Sequence, residues 1–198
     1  MRKKAIFLWL ILLFAGIAVL FWGNEWKYSL PTPVPATYKV VSPGAKVNLA
    51  SWWAPGGSKP IFLHFFNPHC PCSRFNIPHV KSLVKQYGQE INFAIVVMTD
   101  KNYTVKEIQD KFGLDVPVFF DSSMAAACGV YSTPQAVIID TSGKLYYRGN
   151  YNRSRYCSDK KTEYARIALE DFLDNKPFSV SDQAALQAYG CQLPTCTK

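Results

Sequence analysis

Cys70 and Cys72 stand two residues apart in "FFNPHCPCSRF", Phe65 to Phe75, behind an apolar run and among two prolines and a histidine. A thiolate is both a nucleophile and a soft metal ligand, so three chemistries compete for this stretch. It reads as a redox pair, a metal clamp or a structural staple. His64, His69 and His79 are the chain's 3 histidines, and all lie close to these cysteines in sequence. Two thiolates and an imidazole suit Cu(I) or Zn(II), which makes His69, Cys70 and Cys72 the candidate metal set.

The flanking segments must position these side chains. "IFLHFF" is a short, nearly all-apolar run of the kind buried on both faces of a sheet. After "NPHCP" the spacing predicts a helix over about Cys72 to Tyr87, with Phe75, Val80, Leu83, Val84 and Tyr87 on its apolar side. "INFAIVVMTD" is a second buried strand. "TVKEIQDKFG" is an amphipathic helix with Thr104 and Glu107 as a capping box and Gly113 as its stop. "VPVFFD" is a short third strand and "SSMAAACGV" a helical turn. "AVIID" and "KLYYRGN" form a hairpin, and "DKKTEYARIALEDFLDNK" a last helix. "YKVV" and "KVNLASWW" are candidate edge strands, and "GGSKP" a turn. Strands alternating with helices imply parallel pairing, and the late hairpin adds an antiparallel edge. The fold class is α/β, a mixed central sheet flanked by helices.

Ahead of this lies an apolar run from Ala5 to Trp22, preceded by Arg2, Lys3 and Lys4. As a helix it rises about 27 Å, close to the hydrocarbon core of a bilayer. No small-residue cleavage site follows it, so residues 1–24 read as an uncleaved signal anchor with the basic end in the cytoplasm, a cleaved leader being the alternative. Residues 25–38 are a Pro-rich linker, 39–177 the globular domain and 178–198 a Cys-containing tail. The formal charge is +8, with a mild cluster from Arg148 to Lys161 that reads as a solvated face near anionic headgroups. There is no arginine-rich run to suggest nucleic acid. The 6 cysteines suit an oxidising compartment. Cys157–Cys191 is the leading structural pairing, Cys191–Cys196 its rival, and Cys128 a small buried residue.

From Lys39 to Pro177 the chain resembles the thioredoxin-like superfamily, in its exported redoxin branch. "FFNPHC" delivers a cysteine from a strand to a helix N-terminus. "GVYSTPQAVIID" is similar to the loop that holds a cis-proline beside the active cysteine. "GKLYYRGNYN" is similar to the hairpin return. The family pattern is C-x-x-C, and here Ser73 stands where its second cysteine falls. Residues two apart on a helix do not face each other, so a Cys70–Cys72 bond implies a bent, labile helix start. The alternative is a distant cysteine or an external thiol.

The resemblance implies a membrane-tethered thiol–disulfide oxidoreductase at the bacterial inner membrane, single-pass, with its C-terminal domain in the periplasm. Cys70 is the exposed nucleophile and Cys72 resolves it. His64 falls where the family buries a proton-transferring acid. Thr133 and Pro134 position the partner, with the Pro134 bond cis. Arg74 favours the thiolate, and His69 either supports it or lines the groove. The partners are a protein thiol or disulfide and a redox partner, and no cofactor or resident metal is called for. Two rivals remain: a Cu(I)/Zn carrier through His69, Cys70 and Cys72, and a peroxidase-like redoxin. The second lacks the expected threonine or serine three residues before the cysteine, where Asn67 stands; Arg148 would serve it as an oxyanion ligand.

Overall fold

The computed structural model describes residues 2–26, 30–48 and 58–193. Helix α1, Arg2–Phe21, is long and apolar enough to cross a membrane, and none of it is buried against the rest of the chain. A π-helical turn, Trp22–Trp26, follows it.

Strand β1, Ile61–Phe66, runs through the centre of a five-stranded sheet and is buried at every position. It pairs in parallel with β2, Asn92–Val97, which pairs in parallel with β3, Val118–Phe119. On its other side β1 runs antiparallel to β5, Gln135–Ile139, and β5 antiparallel to β6, Leu145–Gly149. The order β3-β2-β1-β5-β6 is a thioredoxin-like mixed sheet, with the hairpin as its antiparallel edge. Apolar layers cover both faces because β1 carries apolar residues on both sides of its pleat. Phe62 and Phe66 face the layer containing Leu83 and Leu169, while Leu63 and Phe65 face Met124 and Cys128.

The helix expected over Cys72 to Tyr87 is two helices, α2 (Pro71–Phe75) and α3 (Ile77–Tyr87), meeting at Asn76. Pro78 explains the break. It has no N–H to donate and its ring crowds the carbonyl four residues back. Phe75 is exposed rather than apolar-packed and lies against Tyr156, with ring centroids 4.7 Å apart. Helix α4, Val105–Phe112, has the capping box of Thr104 and Glu107 and ends at Gly113 in the left-handed region. Helix α5 is Ser123–Cys128. The last long helix is shorter than its sequence pattern. Lys160–Thr162 is a 3₁₀ turn, and α6 is Tyr164–Leu173.

"YKVV" forms no strand. Lys46 makes an isolated bridge to Lys144, and the remainder of "KVNLASWW" from residue 49 lies outside the described residues, as do the glycines of "GGSKP". Beyond α6 the chain returns through a short helix α7, Gln183–Leu186, to β7, Cys191–Gln192. There it pairs antiparallel with β4, Ser132–Thr133, in a second, two-stranded sheet.

Candidate functional site

Strand β1 and the loop after it bring Cys70 to the N-cap of α2 in an extended conformation, with Pro71 at the first helical position. Proline suits that position because its missing N–H has no helical partner there. Asn67 holds the loop: its Oδ1 accepts from His69 N at 2.9 Å, and its carbonyl from Cys70 N at 3.0 Å. The Cys70 sulfur lies 3.6 Å from the Thr133 carbonyl oxygen, and the Thr133–Pro134 bond is cis as expected.

Cys70 is disulfide-bonded to Cys191, 121 residues away, with their Cα atoms 6.2 Å apart. None of the named pairings, Cys70–Cys72, Cys157–Cys191 or Cys191–Cys196, is the one in the structure; the bond is the alternative in which a distant cysteine pairs with Cys70. Cys72 and Cys157 are thiols, and Cys191 reaches Cys70 because β7 lies on the edge of β4. Cys196 lies outside the described residues. Cys70 is not solvent-facing, as its position at the helix corner suggests. It is fully buried, because the tail covers it. Cys72 is buried in the same sulfur cluster as Cys70 and Cys191. Arg155 lies close enough for a thiolate at Cys72 to favour its charge. Burial works against the guanidinium, but Tyr156, Cys72 and Glu25 outweigh that and raise its pKa.

The tail is held from two sides. Thr133 faces Cys191 and Ser132 faces Gln192 in the ladder. On the other side the segment after α1 touches it: Thr32 N donates to the Ala188 carbonyl at 2.8 Å, and Thr32 Oγ1 to the Gly190 carbonyl at 3.2 Å. Ser132 Oγ donates to the Tyr189 carbonyl at 3.0 Å. Gly190 has φ +118°, and a Cβ there would stand 2.2 Å from the Thr133 oxygen, so only glycine fits.

Residues 45–195 match a domain of unknown function, DUF6436. The chain belongs to the DUF6436 family. It is also similar to the thiol-disulfide oxidoreductase ResA of Halalkalibacterium halodurans, 26% identical over 90 residues. That match covers 44% of this chain and 51% of ResA, so the chain spans about half the length of that relative. Among solved structures, a hypothetical protein from Sinorhizobium meliloti superposes with a TM-score of 0.64 at 18% identity, covering 79% of this chain and 96% of the other. An uncharacterized conserved protein from Geobacillus kaustophilus gives 0.60 at 20% identity, covering 83% and 94%. Both likenesses concern the fold.

The other expected site residues of this DUF6436 chain fall in three environments. His64 is buried beneath the sheet, its Nδ1 2.7 Å from the Tyr151 hydroxyl and its ring edge-on to Phe112. Burial, and then the charge of His79, lowers its pKa to about 3. The imidazole is therefore neutral at neutral pH. His79 lies edge-on to the same Tyr151 ring and 3.9 Å from Glu163.

His69 is exposed, with Nε2 3.0 Å from the Tyr103 hydroxyl. Among the described residues no three His, Cys, Asp or Glu side chains gather as a metal-holding group, and Cys70 is spent in its disulfide. The His69–Cys70–Cys72 carrier site is thus not assembled in this state. Arg148 is tied elsewhere, donating to the Val41 carbonyl at 2.8 Å, which takes it from any oxyanion role beside Cys70.

Cys128 is buried, as expected, and burial pushes its thiol to about 12. Cys157 has φ +53° and donates from Sγ to Asn76 Oδ1 at 2.7 Å. Burial likewise raises its thiol to about 12, with Glu163 and Cys72 adding to the rise. The residue that sequence reasoning left out of the site is Cys191. Its signal was the "GC" dipeptide near the chain's end.

Proposed function

We propose that this chain is a thiol–disulfide oxidoreductase in which Cys70 and Cys191 form the redox couple. The observation that carries the reading is the bond between them. It joins a sulfur at a strand-to-helix corner to a strand paired with Thr133, where a partner strand would pair. A sulfur at a helix N-terminus is a good thiolate, because unpaired N–H groups and the helix dipole favour negative charge.

In the reduced protein the Cys70 thiolate attacks a partner disulfide. A Cys70–partner bond forms, and the partner's other sulfur leaves as a thiolate and takes a proton from water. Cys191 then attacks the Cys70 sulfur, closing Cys70–Cys191 and releasing the partner thiol. Two electrons pass from the protein to the partner, and a partner dithiol runs the steps in reverse. Thr133 and Pro134 supply the backbone edge for the partner strand. Cys72, buried against both sulfurs, is the second thiol able to displace Cys191 from Cys70. His64 is a positioning residue, acting through Tyr151. Helix α1 tethers the domain to the bacterial inner membrane, with the domain on the periplasmic side and residues 25–38 as linker. The ResA likeness supports the activity.

The test is mass mapping of disulfides across a graded glutathione buffer. The expected result is one two-electron transition joining Cys70 and Cys191, lost in Cys70→Ser and in Cys191→Ser and kept in Cys128→Ser. A bond still closed at about −300 mV would behave as a structural staple and overturn the reading.

A further inference from the structure

The tail is bound as a guest strand is bound. Cys191 faces Thr133, Gln192 faces Ser132, and Leu193 N donates to the Tyr131 carbonyl at 3.3 Å. Leu193 stands two positions past Cys191, in the turn that directly follows β7. Leu193 thereby reaches the wall of a cavity of about 580 Å³, formed with Tyr38, Met98, Ala126, Val130 and Tyr131. The wall is mostly apolar, and Leu193 lines the space without filling it. Tyr38 is fixed there, donating to the Gly129 carbonyl at 3.0 Å and lying edge-on to Tyr131 at 4.8 Å between centroids.

We infer that residues 190–193 are an internal copy of the partner segment, and that Tyr131–Thr133 with this cavity is the site that recognises it. The partner is an extended polypeptide strand carrying glycine, then a cysteine held in a disulfide, then any residue, then a large apolar side chain. Each position has its reason. Main-chain pairing along β4 supplies affinity and alternate side chains supply choice. The glycine is required because a Cβ at that place meets the Thr133 oxygen at 2.2 Å. The cysteine stands opposite Thr133, against the Cys70 sulfur. The residue after it points away, and the next one enters the cavity. The inference rests on the exchange reading above, and the sulfur chemistry is the sequence written there.

The test uses the full chain in detergent, carrying Cys191→Ser and reduced beforehand. The probes are end-capped Tyr-Gly-Cys-Gln-Leu peptides whose cysteine is a mixed disulfide with 2-nitro-5-thiobenzoate. The rate compared is the release of coloured thiolate that disappears in Cys70→Ser. Replacing the peptide's leucine by serine is expected to slow release about tenfold, the usual discrimination of an apolar pocket. Phenylalanine there is expected to keep the rate, and valine for the glycine to lower it by at least as much as serine. Ala126→Trp in the chain is expected to fill the cavity and erase the leucine–serine difference. Gly190→Val in the chain is expected to expel the tethered tail and speed release, because a tethered strand competes at an effective concentration of about millimolar.

Equal rates for all peptides would overturn the recognition site and leave the exchange reading standing. Failure of Cys70 to react with the peptides and with glutathione disulfide alike would remove the exchange reading itself. Reoxidation of the wild-type chain into dimers joined by Cys70–Cys191 bonds would assign the groove to a second copy and overturn the inference.

Discussion

Strands β1 and β2 pair over six positions inside two apolar layers, whereas β4 and β7 pair over two positions at the end of the chain. The first pair is held by burial. Phe62, Phe65 and Phe66 are each fully buried, and such side chains contribute about 1.5–3 kcal/mol apiece. The second pair is held by one covalent bond, a glycine that allows close approach, and polar contacts from Thr32 and Ser132. Elements with few buried apolar contacts open at lower cost than the core. The large sheet is therefore the more stable frame, and the small sheet is a joint that leans on its disulfide and a few polar contacts.

The largest effect should come from breaking the frame. Phe66→Ala removes a fully buried ring from the central strand and should cost about 3–5 kcal/mol. Denaturant unfolding of oxidised and reduced protein should report the same loss. A loss confined to the oxidised form would mean that the joint, not the core, carries the domain.

The next effect is on pH, through His64 in that same strand. Its folded pKa lies near about 3 against an ordinary 6.5, so below 6.5 the unfolded chain binds a proton that the folded chain refuses. The stability is fully present above pH 6.5 and is lost progressively as the pH falls toward 3. The slope should be about 1.4 kcal/mol per pH unit for this one proton. His79, also lowered, first by burial, adds in the same direction. His64→Gln should flatten the slope in urea titrations between these limits; an unchanged slope would place the titration elsewhere.

The frame was legible in the sequence and the joint was not, for physical reasons. "IFLHFF" and "INFAIVVMTD" declare buried strands because both faces must be apolar, and Thr104 with Glu107 declares a helix start through its own hydrogen bonds. "STPQ" before a strand marked the loop beside Cys70. Pro78 marks the helix break, although the apolar spacing continues across it. The partner of Cys70 carries no such local mark. A two-residue strand has no period, and cysteine pairing across 121 residues is a property of the tertiary fold. The burial of Cys70 follows from that same distant contact, so reading the corner alone exposes a sulfur that the tail in fact covers.

The smallest effect tests the joint from its other side. Thr32 belongs to the segment that follows α1, yet its hydroxyl donates to Gly190 and lies 3.1 Å from Ser132 Oγ. Thr32→Val keeps the shape and removes both contacts, which should cost about 1 kcal/mol locally. The amide of Leu193 should then exchange with deuterium about fivefold faster, since 1.4 kcal/mol is tenfold, while the amide of Ile95 in the large sheet stays unchanged. The effect should be larger in reduced protein, where the Cys70–Cys191 bond no longer masks it. Equal acceleration at Ile95 would mean that frame and joint open together, and the two sheets would then be one cooperative unit.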